Sequence, residues 1–330
     1  MTVIRGFIGF SGARRFALTS LFALVRVNSF PAFNPFQTCS FDGKVQLAKL
    51  RCGSKEGAGI PETANCVARA YLRSHVPDSV CGYLTDVEGN FEYFEDYVAI
   101  SKVLEWEDQG KTALRLKDNA LFVFGGDSQD KGPGDIRFTT LMVALKQRYP
   151  DRVRLIIGNR DTNKLRLTSE LSDEAMASAA VRNDPEFPYW LPADKVVTPA
   201  GFLAANGAED SVANRLRWML KETMGADGAF DRRRIELARL RGADPSHVTD
   251  DEVVRSYRDQ VAPAGGGNFA LRYLESADLA CIFGRTLFVH GAVTANNAGA
   301  VPGSNVPEPD PAAWVARLNS WARDQLAEFR

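Results

Sequence analysis

The sequence predicts an α/β fold built on a parallel sheet, and three observations lead there. Short apolar runs, Gly82 to Leu84, Leu121 to Phe124 and Val153 to Ile157, each end in a turn rich in Gly and Asp. The runs are near-continuous rather than alternating, the pattern of strands covered on both faces. Helical spacing of apolar residues follows the first two runs, and strand–helix alternation implies a parallel sheet with right-handed crossovers. Parallel strands deliver their following loops to one edge of the sheet. Three acidic turns, at 84–90, 126–132 and 158–161, are therefore expected to meet. Their Asp86, Glu88, Asp127 and Asn159 offer the oxygen donors that hard and borderline divalent metals prefer.

The totals set outer limits. A chain of 330 residues with 45% apolar content can bury a substantial core in one large domain or two smaller ones. A formal charge of −1 gives no footprint for nucleic acid or an anionic membrane surface. Five cysteines without a Cys-x-x-Cys pair argue against a disulfide framework and for a reducing compartment. The only histidines are His75, His247 and His290, which restricts any metal or acid–base scheme.

Residues 1–41 hold Arg5, Arg14, Arg15 and Arg26 but no acid, the composition of an organelle transit peptide directed to a mitochondrion or plastid; the rival reading is an untargeted cytoplasmic extension. Arg26 interrupts the longer apolar run well short of the roughly 20 residues a membrane span needs. Residues 42–78 read as a connecting segment with one helix over Glu62 to Arg73, and the folded domain is expected over 79–330. Phe91, Phe94 and Val98 fall at helical spacing after the first turn. Phe138, Leu141, Met142 and Leu145 do so after Gly132-Pro133-Gly134 breaks the chain. From about 165 to 276 the sequence is helical and polar, an insertion whose clearest stripe is Val212, Leu216, Met219 and Leu220. Thr249 with Glu252 fits a capping box, which makes His247 a surface residue. Gly265-Gly266-Gly267 lacks the strand and Lys-Ser/Thr of a phosphate loop and reads as a hinge. Two short strands, Leu279 to Phe283 and Thr286 to Val289, then lead to His290-Gly291, and Trp314, Leu318 and Trp321 mark a last amphipathic helix.

Taken in order, Asp86-x-Glu88, Gly126-Asp127-x-x-Asp130-Lys131-Gly132, Gly158-Asn159-Arg160-Asp161 and Val289-His290-Gly291 resemble the motif series of the calcineurin-like metallophosphoesterases, nearest to their phosphoprotein-phosphatase and diadenosine-tetraphosphatase-like branch. The resemblance spans about Gly82 to Ala292 and implies two packed β-sheets flanked by helices, here with a helical insertion. It implies two divalent metal ions, manganese first, with iron, zinc or magnesium as alternatives. Carried over by position, Asp86 would hold one ion with Glu88, Asp127 would bridge, and Asn159 and His290 would hold the other. Asp130, Lys131 and Arg160 become the candidate catalytic residues. The implied reaction is hydrolysis of a phosphomonoester or nucleotide-type substrate, on a phosphorylated small molecule or a phosphoprotein, by a metal-activated water.

Four departures qualify that reading. Glu88 stands where the family has histidine, which favours harder ions such as manganese or magnesium. Lys131 replaces an arginine and trades a bidentate fork for a point charge. Arg160 replaces the histidine that would protonate the leaving group, and arginine cannot give up a proton near neutrality. Asp130 would then either hold Arg160 for electrostatic work or merely tie two loops together. Lastly, no histidine follows His290 and residues 293–330 offer no strand, so the chain is expected to lack the family's C-terminal part. The competing expectation is a catalytically inactive metal- or phosphate-binding protein, or a truncated product.

Overall fold

The computed structural model describes residues 80–185, 187 and 191–330, so the leader, the connecting segment and the Glu62 to Arg73 helix lie outside the described residues. The fold is mixed α/β. Strands β1 (Val80–Leu84), β4 (Ala120–Phe124) and β5 (Val153–Leu155) form a parallel sheet in the order β1-β4-β5. Helix α1 (Phe91–Ile100) follows β1, with the Asn90 side chain accepting from the Tyr93 N–H at 3.1 Å to cap its free N-terminus. Its Phe91, Phe94, Tyr97 and Val98 are buried, as their i, i+3, i+4 spacing requires. Helix α2 (Asp135–Arg148) links β4 to β5 and buries Phe138, Leu141, Met142 and Leu145.

Between α1 and β4 the chain also forms an antiparallel pair, β2 (Leu104–Trp106) with β3 (Leu114–Leu116), which the sequence reading did not anticipate. Three-residue strands alternate only once, too few positions for a period to emerge. The third apolar run is shorter as a strand than expected. It ends at Leu155, and Ile156 instead bridges in parallel to Asp278. Ile157 N–H donates to the Asp278 carbonyl at 2.9 Å, so β5 hands the sheet edge over to the chain entering the next hairpin.

That hairpin, β6 (Ala280–Phe283) with β7 (Thr286–Val289), lies on one face of the parallel sheet. Cys81, Val123, Ile156 and Cys281 form the buried contact, and Tyr83 and Phe288 stack at a centroid separation of 5.7 Å. Among the described residues β6 and β7 pair only with each other, as a two-stranded sheet of their own. The opposite face carries the main core, where Phe94, Phe138 and Phe124 meet edge to face at 4.9 Å between successive centroids. All three rings are fully buried, each contributing roughly 1.5–3 kcal/mol.

From 165 to 276 the described elements are helices and helical turns: among them α3 (Val212–Trp218), α4 (Ala229–Arg241), α5 (Asp250–Asp259) and α6 (Phe269–Ser276). Leu216, Met219, Leu220, Phe230 and Tyr257 build a second core there. The Thr249–Glu252 capping box starts α5. Helix α6 packs on α2 and places Tyr273 beside Phe124, so its face belongs to the main core. The chain ends in α7 (Pro311–Phe329), which buries Trp314, Leu318, Ala322 and Leu326, while Trp321 is only partly covered. Among the described residues no helix is long and apolar enough to cross a membrane.

Candidate active site

The three acidic turns meet because each leaves the same end of a parallel strand. Asp86 N–H donates to the Gly126 carbonyl and Glu88 N–H to the Asp127 carbonyl, both at 3.0 Å, so the first two turns are bound backbone to backbone. The second and third are joined through Asp161. Its Oδ1 accepts from Ser128 N–H at 2.9 Å and Ser128 Oγ at 2.7 Å; its Oδ2 accepts from Asp127 N–H at 3.0 Å and Gly158 N–H at 2.8 Å. Gly126 sits at the crossing with φ +98°, where a Cβ would lie 2.7 Å from Gly158 N and 3.0 Å from His290 Nδ1. Only glycine permits that convergence.

Non-glycine residues rarely take positive φ, yet Asp86 (53°), Glu88 (50°), Asp127 (60°) and Asp130 (107°) all do. They are four of the six such residues among those described, and backbone strain of this kind clusters at working sites. The turns thus hold carboxylates in positions that ordinary turn geometry would not supply.

His290, at the end of β7, completes the convergence. Its Nδ1 lies 2.9 Å from the Gly125 carbonyl and so acts as a donor, while Nε2 lies 3.1 Å from Asn159 Oδ1 and 3.4 Å from Asp127 Oδ1. Asp86, Asp127 and His290 bring ligand atoms within 4.8 Å of one another. Two carboxylates, an amide oxygen and an imidazole held by a backbone carbonyl make a donor set that fits one hard or borderline divalent ion. Burial raises the Asp127 carboxyl to about 7, against the opposing pull of His290. Burial alone would lower His290, but Asp127 and Asp86 outweigh it and hold the imidazole above its ordinary value. Burial thus dominates at Asp127, and the neighbouring acids at His290.

Glu88 is placed differently from the ligand role implied for it. Its Oε1 receives Arg160 Nε at 2.6 Å and Lys131 Nζ at 3.1 Å, and it stands outside the group of converging donors. The physical reason is Arg160 itself, a fixed cation that reaches the carboxylate first. Arg160 N–H donates to Asp127 Oδ1 at 2.9 Å, its Nε lies 3.6 Å from Asp127 Oδ2, and its Nη1 reaches Asp130 Oδ2 at 3.2 Å. Asp130 therefore does meet Arg160, and it also takes buried Lys164 Nζ at 2.8 Å.

The sequence reading passed over Lys164, although it lies four residues after Arg160 on a helical turn and so on the same face. Arg232, which the sequence leaves between a phosphate contact and a solvated face, donates its guanidinium to the Asp130 carbonyl at 2.9 and 3.2 Å; the Met224 and Gly225 carbonyls, which the sequence reading passed over, accept from Arg160 Nη1 at 3.3 and 3.4 Å. Those carbonyls follow a π-helical turn over Met219–Thr223, a form frequent at functional positions. The helical stretch thus borders the site directly. Periodicity could not reveal this, because it reports which face is buried and not which partner buries it.

No family model matches the chain. Over 56 residues, 17% of this chain and 14% of the relative, it is 41% identical to the serine/threonine-protein phosphatase sitA of Aspergillus fumigatus. Over 143 residues, 40% of this chain and 41% of the relative, it is 29% identical to the serine/threonine-protein phosphatase 4 catalytic subunit of Candida glabrata. The chain thus matches less than half the length of these curated relatives. A solved structure of a protein serine/threonine phosphatase from Saccharomyces cerevisiae, with similarity to human phosphatase PP5, shares 20% identity over 28% of this chain and 25% of its own, at a TM-score of 0.22, an overlap too small to bear on the fold. Both sequence relatives are named as serine/threonine-protein phosphatases.

Proposed function

We propose that the chain hydrolyses phosphoesters with the help of a divalent metal, on a phosphoprotein or a phosphorylated small molecule. The carrying observation is the convergence of Asp86, Asp127 and His290 within 4.8 Å, beside the cations Arg160 and Lys131. Metal donors adjoining a pair of cations suit a phosphoryl group, whose charge both can share. Asp86, Asp127, Asn159 and His290 are the residues that would hold a cation. Bound there, it would polarise phosphoryl oxygens and acidify a water.

The chain's own residues do the rest. Gly125 fixes the His290 ring so that Nε2 faces Asp127 and Asn159. Asp130 and the Met224 and Gly225 carbonyls orient Arg160, whose charge is available to a departing oxyanion. Lys131, half exposed, offers a mobile charge to an entering phosphate. Since Arg160 cannot protonate a leaving group, aryl phosphates and anhydrides are better substrates than a serine alkoxide ester. The relatives are named for serine/threonine-protein phosphatase activity, so phosphoserine peptides form a necessary arm of the test.

The experiment is hydrolysis of an aryl phosphate, a nucleotide and a phosphoserine peptide with added manganese, in wild type and Asp127→Asn. Turnover of the aryl phosphate that falls to background in the variant is the expected result. Folded wild-type protein that turns over none of the three overturns the reading and leaves a metal- or phosphate-binding protein.

A further inference from the structure

We propose that this centre takes a single divalent cation, held by Asp86, Asp127, Asn159 and His290, and that the Arg160 guanidinium supplies the site's second positive charge in place of a second ion. This deepens the metal-dependent reading above and rests on it. The first ground is geometric. A second ion would need the Glu88 carboxylate and the free oxygen of Asp127. Arg160 Nε already lies 2.6 Å from Glu88 Oε1 and 3.6 Å from Asp127 Oδ2, so the guanidinium spans the two. Lys131 Nζ, at 3.1 Å, occupies Glu88 from its other side.

The second ground is that Arg160 is not free to leave. Its Nη1 is bound by Asp130 Oδ2 at 3.2 Å and by the Met224 and Gly225 carbonyls at 3.3 and 3.4 Å, and its side chain is only 12% exposed. Asp130 is itself locked by Lys164, and the Asp130 carbonyl by Arg232, so the residue that aims Arg160 is braced from two elements. A guanidinium stays charged at any physiological pH and cannot yield by losing a proton.

The third ground is charge. Asp86, Glu88, Asp127 and Asp130 face Arg160, Lys131 and Lys164, which leaves one uncompensated negative charge. Asp161 is also buried here, and the four hydrogen bonds that hold its oxygens stabilise its charge without cancelling it, so with Asp161 the excess is two negative charges. One divalent ion balances that excess, with the Arg160 and Lys131 cations beside it to meet an anionic substrate. A second would stack further positive charge against a guanidinium a few ångströms away, in a setting where screening is weak.

The test is manganese binding to the full chain, counted by native mass spectrometry, with the electron paramagnetic resonance spectrum of the bound ion as a second readout. Wild type is expected to bind one manganese with an uncoupled six-line spectrum. Arg160→Gln, which keeps hydrogen-bonding capacity but removes the charge, is expected to bind two with a spin-coupled spectrum; Arg160→Lys, which keeps the charge, is expected to stay at one. Two ions in wild type overturn the proposal while leaving phosphoester hydrolysis standing. No ion in wild type overturns both. One ion in wild type and in folded Arg160→Gln overturns the role given to Arg160. The wild-type count needs no variant to fold, so the single-ion claim is decided in every case.

Discussion

Asp161 braces the site's turns while standing outside the group of converging metal donors. It is fully buried and receives four hydrogen bonds that pin Asp127, Ser128 and Gly158 to one another. An asparagine has the same shape but one acceptor oxygen, so its amide group would face two of those donors. Asp161→Asn is expected to cost roughly 2–4 kcal/mol, since each buried unpaired polar group costs about 1–3 kcal/mol. Urea denaturation would measure this, and an unchanged midpoint would show that the turns hold together without it. The sequence placed Asp161 inside the third acidic turn, beside Asn159 and Arg160, but gave no reason to single it out. Composition at a strand end announces a site. Which carboxylate turns inward to brace it and which outward to bind depends on backbone angles that no spacing rule encodes. The same limit explains Glu88, whose type suits a ligand and whose neighbour Arg160 claims it.

At the scale of elements, α6 joins the helical stretch to the sheet through the apolar core, whereas α4 is tied to the start of α2 by a buried polar cluster. Glu236 of α4 accepts from the Ile136 and Arg137 N–H groups at 2.8 and 3.1 Å, capping the start of α2 from another element. Arg233, one turn earlier, bonds Asp135 Oδ2 at 3.1 Å and Gln260 of the chain after α5 at 3.1 Å. Asp135 in turn accepts from Asp130 N–H at 3.0 Å, so this cluster reaches the site through one residue. Burial, with Asp135 close by, raises the Glu236 carboxyl from 4.5 to about 7. A raised carboxyl favours the protonated form in the fold. Its stabilising contribution is therefore complete below about pH 4.5 and is lost as pH rises through about 7. Glu236→Gln keeps the capping oxygen without the titration. It is expected to match wild type near pH 4.5 and to exceed it by roughly 3 kcal/mol above pH 7, at about 1.36 kcal/mol per pH unit. Denaturant curves across that range would show the divergence; parallel curves would refute it. The helices α1, α2 and α7 were legible from their local apolar periodicity, and α5 from its local capping box. The cap on α2 was not, because its donor and acceptor lie a hundred residues apart.

The whole molecule reads as a chain of supports running from its last helix to His290. Helix α7 joins the main core through Trp314, Leu318, Ala322 and Leu326; the sequence reading named the first two and set Trp321 with them, which is only partly covered. Between those residues stands Asn319, a polar residue on a buried face whose purpose only the tertiary arrangement explains. Its Oδ1 accepts from the Leu279 and Ala280 N–H groups at 3.0 and 3.2 Å, and its Nδ2 donates to the Ala280 carbonyl at 2.9 Å. One side chain thus satisfies the backbone at the start of β6, where no strand pairs along that edge among the described residues. The hairpin held in this way carries His290 at the end of β7, against the Gly125 carbonyl and Asn159. Asn319→Leu keeps the volume and strands those backbone groups in an apolar interface, which is expected to cost roughly 2–4 kcal/mol. Because β6 and β7 move as one ladder, the loss should also reach the far end. Manganese affinity is expected to fall in the variant under conditions where circular dichroism shows it folded, and a calorimetric titration would measure the change. Reduced stability with undiminished manganese binding would mean that the sheet face alone, through Cys81, Val123 and Ile156, is enough to hold the hairpin and place His290.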